Sequence, residues 1–255
     1  MDLITLELQG KFAHFRKYYG NNTALSYALP PRTTLTGIFA ALLGRERDSY
    51  YREMAASHLR IGVGIMHPVK KSFHRLNNLM IKGGGDFRGR SGPVQTPYEM
   101  VTAWNLRTGL VAYQIFLSAH EPGETLLAEI SKRLEDKDYT YNLSLGPAFC
   151  HAQVANVQRL PTESWHTHVA NEEPLEFISA VPIDLINAIL PGNGRVVIEE
   201  EMLPGEFLDN FDRELKSLHK VLFTTSGHPL SVKFTGQYHF FKTGTGRQNF
   251  VFLET

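Results

Sequence analysis

Cations set beside flat rings are the residue types that meet a single-stranded nucleic acid, because phosphates attract positive charge and unpaired bases stack on aromatic faces. The run His14, Phe15, Arg16, Lys17, Tyr18 and Tyr19 has that make-up in six consecutive positions. Alternation through the preceding stretch assigns Phe12 and Phe15 to the core, which leaves His14, Arg16, Lys17 and Tyr18 as candidates to face a ligand. A second candidate is Pro30-Pro31-Arg32-Thr33-Thr34, just ahead of an apolar run. The prolines set an extended entry, and Thr33 or Thr34 is placed to cap a helix. A helix start offers unpaired N–H groups and a favourable dipole to an anion, so Arg32, Thr33 and Thr34 form a reasonable phosphate site. A well-capped helix with a surface arginine is the plainer alternative.

The third candidate is the stretch 67–98, which breaks all periodicity. It holds Lys70, Lys71, Arg75, Lys82, Arg88 and Arg90 against the single acid Asp86, with Gly83-Gly84-Gly85 in the middle. A loop of this length is either functional or disordered. Folded onto itself it crowds like charges; a polyanion removes that penalty and releases counterions.

Metal-free RNA cleavage would need a base, an acid and a cation. His14, Lys17, Tyr18, His67, Lys70, Lys71 and His74 include those types, but types without placement do not define a site. There is no phosphate-loop lysine motif, serine elbow or paired-histidine zinc helix. His166-Thr-His168 lacks a third ligand at a workable spacing, and Gly244-Thr-Gly246-Arg247 reads as a hairpin turn. One cysteine, Cys150, excludes an internal disulfide framework and a thiolate zinc site. No metal and no cofactor are expected.

The elements that must position these residues follow from periodicity. Leu3 to Phe15 reads as a half-buried strand, and a polar loop with Gly20, Asn21 and Asn22 follows. Leu35, Ile38, Phe39 and Leu42 keep helical spacing up to a stop at Gly44. Strands are expected at 59–66, Tyr98–Trp104, Leu110–Ala119 and Val154–Leu160, and a helix from Thr125 to Leu134. Strand, helix, strand, strand, helix, strand is the ferredoxin-like order, shared with the RNA-recognition domain, whose sheet supports base stacking. Beyond about residue 160 the chain turns repeatedly, at Pro191-Gly192-Asn193-Gly194, Pro204-Gly205, Ser226-Gly227 and Gly244-Thr245-Gly246. A helix is expected from Glu206 to Lys220. The reading is α+β: a ferredoxin-like domain over 1–160 and a smaller, mostly β region over 161–255.

The 255 residues are 42% hydrophobic and 20% charged, the make-up of a folded globular chain. The longest apolar run, Leu35 to Leu43, is about half what a bilayer requires, and the amino terminus has no signal core, so a cytoplasmic setting without membrane contact is expected. A net charge of zero hides an asymmetry. Residues 1–120 carry 15 Lys/Arg and 7 Asp/Glu, a balance of +8, and residues 121–255 carry the opposite balance of −8. The basic, aromatic half matches nucleic acid; a solvated basic face is the alternative. The acidic half is expected to face water or protein.

Two blocks, Gly10-Lys-Phe-Ala-His-Phe-Arg16 and Ser26-Tyr27-Ala-Leu-Pro30-Pro31-Arg-Thr-Thr34-Leu-Thr-Gly37, closely resemble the amino-terminal signature of the CRISPR-associated Cas-five family, RAMP-type subunits of type I surveillance complexes. Lys70-Lys71 with Asn77-Asn78, Gln95-Thr-Pro97-Tyr-Glu99 and Leu143-Ser-Leu-Gly146 add to the likeness, whose wording is most like the type I-B variety. The resemblance covers roughly the first 150 residues. It implies a non-catalytic subunit that binds the 5′ handle of crRNA, caps the filament of backbone subunits and contacts the large subunit, with target DNA nearby. It also implies a thumb-like hairpin, here about His67 to Tyr98, so that Lys70, Lys71, His74, Arg75, Asn77, Lys82, Arg88, Arg90 and Gln95 join the RNA-binding candidates. One branch of the family is itself a metal-independent crRNA-processing endoribonuclease; its tyrosine, lysine and histidine have no positional match here, and that activity is kept as the alternative.

Overall fold

The first strand, β1 (Leu3–Gly10), is buried along nearly its whole length, although its alternation predicts only one covered face. In this computed structural model, which describes residues 1–255 except 21–22, 108, 193–195, 211, 245 and 255, the chain continues through three short strands. These are β2 (Phe12–Ala13), β3 (Phe15–Arg16) and β4 (Ser26–Tyr27). Then follow α1 (Arg32–Leu43), β5 (Leu59–Ile65), β6 (Val69–Leu79), β7 (Pro93–Ala103), β8 (Val111–Ala119), α2 (Glu124–Asp136) and β9 (Ala152–Leu160). The central sheet runs β5-β8-β1-β9 with every neighbour antiparallel. Asn21, Asn22, Asn193, Gly194 and Thr245 of the expected loop and turns lie outside the described residues.

Both faces of this sheet are covered, by different partners. Ile4, Leu6 and Leu8 of β1, with Ile61, Val63, Ile115 and Leu117, share one core with Leu35, Phe39 and Leu42 of α1 and Leu127, Ile130 and Leu134 of α2. The opposite face carries Leu3 and Phe116, which pack on Trp165, Phe241, Phe250 and Phe252 from the end of the chain. Phe116 and Phe250 stack with centroids 4.4 Å apart. Gly64 lies on this face, and a Cβ there would sit 1.9 Å from the Ile178 carbonyl oxygen. Only glycine lets the later chain approach so closely. The inner strands β1 and β8 are therefore closed to a base on both faces, contrary to what the RNA-recognition order suggests, and only the edge strand β9 carries exposed residues.

After residue 160 the described elements are strands and short 3-10 turns: β10 (Trp165–Phe177), β11 (Val181–Pro182), β12 (Ile186–Ile189), β13 (Ile198–Phe207), β14 (Leu215–Thr224), β15 (Leu230–Thr243) and β16 (Gly246–Phe250). β15 pairs with β10, β12 and β16, and β14 pairs with β11 and β13. The helix expected over Glu206–Lys220 does not form. Those residues are the end of β13, a turn and the start of β14, with Pro204 opposite Leu218 and Met202 opposite Lys220. Leu215, Ser217, His219, Val221 and Phe223 alternate toward the inside. The ladder partner lies across a turn, so local spacing of Leu215 and Leu218 points to a helix that the partner overrides.

The aperiodic stretch is a long antiparallel hairpin of β6 and β7, from Val69 opposite Ala103 out to Leu79 opposite Pro93. It extends five residues past the expected end at Tyr98. The strand expected over Tyr98–Trp104 is its inner half, held at the base by β2.

Candidate nucleic-acid interface

The inner third of the hairpin is locked into the protein. His14 is buried, and its neutral ring donates from Nδ1 to the Glu99 carbonyl at 2.7 Å while lying 4.0 Å from the Tyr98 ring. Burial dominates and holds its pKa below the usual 6.5, with the bond to Glu99 opposing. Its Nε2 is enclosed and has no partner. The chain turns past it at Gly146, whose φ of +103° and position against the His14 carbonyl exclude a side chain. Lys17 and Lys71 both reach Glu201 on β13, at 3.3 and 3.1 Å, and Lys71 also holds Glu199 at 3.0 Å. Burial works against the Lys71 ammonium, but Glu201 and Glu199 outweigh it and raise its pKa. The same Glu201 accepts the Ala28 N–H at 3.0 Å. Lys17 and Lys71, expected to face phosphate, are thus largely neutralised by Glu199 and Glu201 of the acidic half.

Arg32 also departs from expectation. It is among the largest fully buried side chains, paired with Glu254 and donating to the carbonyls of Met54 and Leu59 at 2.9 and 3.0 Å. A guanidinium is stable inside a protein only when paired and fully hydrogen-bonded; here it ties α1 to the last residues and is not a surface anion ligand. The helix starts without a side-chain cap: Pro31 is the N-cap, and its carbonyl accepts the Thr34 and Leu35 N–H groups. Thr33 and Thr34, expected as caps, lie instead on a groove of about 420 Å³ together with Arg16 and Tyr18. Tyr50, Tyr51 and Arg213 complete that groove, and Arg213 is held by Asp48 at 2.9 Å. Sequence reasoning missed these three, because they come from segments with no basic or periodic signal.

The outer part of the hairpin is different. Asp86 is occupied as a staple, accepting the backbone N–H groups of Lys82 and Gly83 at 2.7 and 3.0 Å and the Ser91 hydroxyl. Arg75, Lys82, Arg88 and Arg90 make no side-chain hydrogen bond or ion pair among the described residues. Alternation places Phe73, Arg75 and Asn77 on one face, opposite Glu99, Pro97 and Gln95, and Phe73 is 60% exposed. Phe87 at the tip is 70% exposed. Lys70 and His74 point to the other face, where His74 accepts or donates to Ser72 at 3.0 Å and Lys70 lies 5.6 Å from the Trp104 ring. Of the proposed cleavage residues, His14 is enclosed and Lys17 and Lys71 are paired with glutamates, while His67, Lys70 and His74 are spread along the hairpin. Among the described residues no group of three or more His, Cys, Asp or Glu could hold a metal, and no helix is long and apolar enough to cross a membrane.

The geometry defines a class: a doubly covered antiparallel sheet with two helices, from which a basic, ring-bearing hairpin projects. The family described as CRISPR-associated protein (Cas_Cas5) matches residues 3–214, and the chain belongs to that family. Its fold is similar to that of a CRISPR protein from Archaeoglobus fulgidus, with a TM-score of 0.56 at 15% identity over 98% of this chain and 99% of that one. A chain of a CRISPR RNA-guided surveillance complex aligns with a TM-score of 0.47 at 13% identity, over 90% of each chain. No curated protein matches in sequence.

Proposed function

We propose that this chain is the subunit of a type I CRISPR surveillance complex that grips the 5′ handle of crRNA with its hairpin, caps the backbone-subunit filament and contacts the large subunit, without cutting RNA. Family membership supports the setting. The sheet order β5-β8-β1-β9 with helices after β1 and β8 supports the ferredoxin-like reading, and the wording of the first two sequence blocks supports a type I-B assignment. The observation that carries the RNA reading is the outer hairpin, where four cations have no partner and the local acid is spent on a turn. Cations in that state gain most from a polyanion, through counterion release. Because Lys71 is paired with Glu199 and Glu201, it is not expected to contribute.

The test is binding of the repeat RNA of its own CRISPR locus as a function of salt. Replacing Arg75, Lys82, Arg88 and Arg90 by Ala should lower the salt slope by roughly 0.7 per lost phosphate contact, to a total near 3. Lys71→Ala should leave the slope where it is. An unchanged slope in the fourfold variant, or no RNA binding by the parent, would sink the assignment. A cyclic-phosphate product formed in EDTA would overturn its non-catalytic part.

A further inference from the structure

We propose that Trp104, at the foot of the hairpin, is a stacking platform for an unpaired base of a single-stranded nucleic acid, on the hairpin face opposite Phe73 and Arg75. The inference rests on the RNA-binding reading above and adds a second contact surface to it. Trp104 is 69% exposed, whereas the other tryptophan, Trp165, is buried with its indole N–H on the Met1 carbonyl. A large ring left this bare needs a reason.

The backbone beside the ring is hydrogen-bonded to other parts of the chain. The Trp104 N–H donates to the Pro68 carbonyl at 2.9 Å. In the loop that follows, Asn105 accepts from Gly109 at 2.8 Å through its carbonyl and from the Arg107 N–H at 3.0 Å through its side chain. Lys11 donates to the carbonyls of Arg107 and Gly109, each at 3.3 Å.

Its surroundings point to a polyanion with bases and not to an acidic or apolar protein face. Register puts Lys70 and Phe12 on either side of Thr102, two residues before Trp104 and on the same face. Further out, His74 lies opposite Tyr98. His74 meets Phe12 edge-on at 6.5 Å, and Tyr98 meets the exposed Phe149 at 6.0 Å. Tyr98 lies six residues, roughly 20 Å of strand, from Trp104, with the buried Met100 and Thr102 between them. The ladder places no carboxylate on this face, where Lys70, Ser72, His74 and Tyr98 are partly exposed. An exposed ring beside a cation, here Trp104 with Lys70 at 5.6 Å, is how sequence-tolerant single-strand sites are built.

With Trp165 enclosed, a change in tryptophan emission on ligand binding reports on Trp104. Repeat RNA labelled at its 3′ end is titrated with the full chain, following label anisotropy and tryptophan emission together. The expected result is quenching that saturates with the anisotropy. Trp104→Ala should lose the quenching and weaken binding on the order of 10- to 100-fold, and Trp104→Tyr should recover most of the affinity. If RNA binds the parent with no emission change, or Trp104→Ala binds as the parent does, the platform is wrong and the outer-hairpin reading still stands. Equal quenching by a fully paired duplex would also overturn it, since paired bases cannot stack there. No anisotropy change with any RNA would remove both readings.

Discussion

The β6–β7 ribbon and the β13–β14 ribbon are built alike, each from two strands of ten or eleven residues in one antiparallel ladder. They differ in what the ladder does with its side chains. Leu203, Val221 and Phe223 of the second ribbon are buried in the main core. The first ribbon buries only its base, through Val69, Met100, Val101 and Ala103, and leaves Phe73, Leu79, Ile81 and Phe87 bare. The ribbons meet where Lys71 reaches Glu199 and Glu201. Opposite charge in the two halves of the chain thus has two jobs: it joins the ribbons at their bases and leaves the outer cations of one without a partner. Net charge by region cannot separate these jobs, because it counts paired and unpaired cations equally.

The junction is the place where the comparison is most easily broken. Glu201→Ala strips the partner from Lys17 and Lys71 and the acceptor from the Ala28 N–H. Removing one side of a buried pair costs roughly 3–5 kcal/mol, so the urea midpoint should fall clearly. A midpoint equal to the parent's would show that the ribbons are not held together by this carboxylate.

Acid should act on the packed regions and spare the bare one. His239 lies among Trp165, Phe250 and Phe252, with Nδ1 2.9 Å from the Thr167 hydroxyl. Burial, with Arg60 adding to it, lowers its pKa to about 4. The unfolded chain takes up that proton near pH 6.5 and the folded chain only near 4. The neutral ring's contribution is therefore complete above pH 6.5 and is lost as the pH falls toward 4, by roughly 3 kcal/mol at most. Burial lowers His14 and His219 in the same direction. A His239→Phe variant should lose less stability between pH 6.5 and 4; an unchanged acid limb would rule out this histidine as a source.

The smallest effect on stability belongs to the outer hairpin. Alanine at Arg75, Lys82, Arg88 and Arg90 removes no side-chain hydrogen bond or ion pair among the described residues, so each change should fall within about ±0.5 kcal/mol. A large drop in thermal midpoint would mean that these cations support the fold, and the contrast between the ribbons would weaken.

The strands of the central sheet, both helices of the first 160 residues and the cation-rich segment were legible in the sequence, because each is written in local periodicity or composition. β6 and the outer half of β7 were not, since the stretch 67–98 carries no alternation. Leu35, Ile38, Phe39 and Leu42 mark α1 without help from the rest of the chain, and Gly44 closes it at a φ of +73°. Arg32 shows the opposite case. Beside two prolines and two threonines it has the make-up of a surface anion site, and it is enclosed only because Glu254, 222 residues away, comes to meet it. Lys71 reads like Arg88 in composition, yet Glu201 neutralises the first and no described residue pairs with the second. The same holds for the central sheet, whose second face is covered by Phe250 and Phe252 from the far end of the chain. Sequence by itself determined which residues could form elements and carry charge. Only tertiary structure decided which charges are spent internally and which surfaces remain exposed, because pairing and burial depend on contacts across more than a hundred residues that leave no periodic trace.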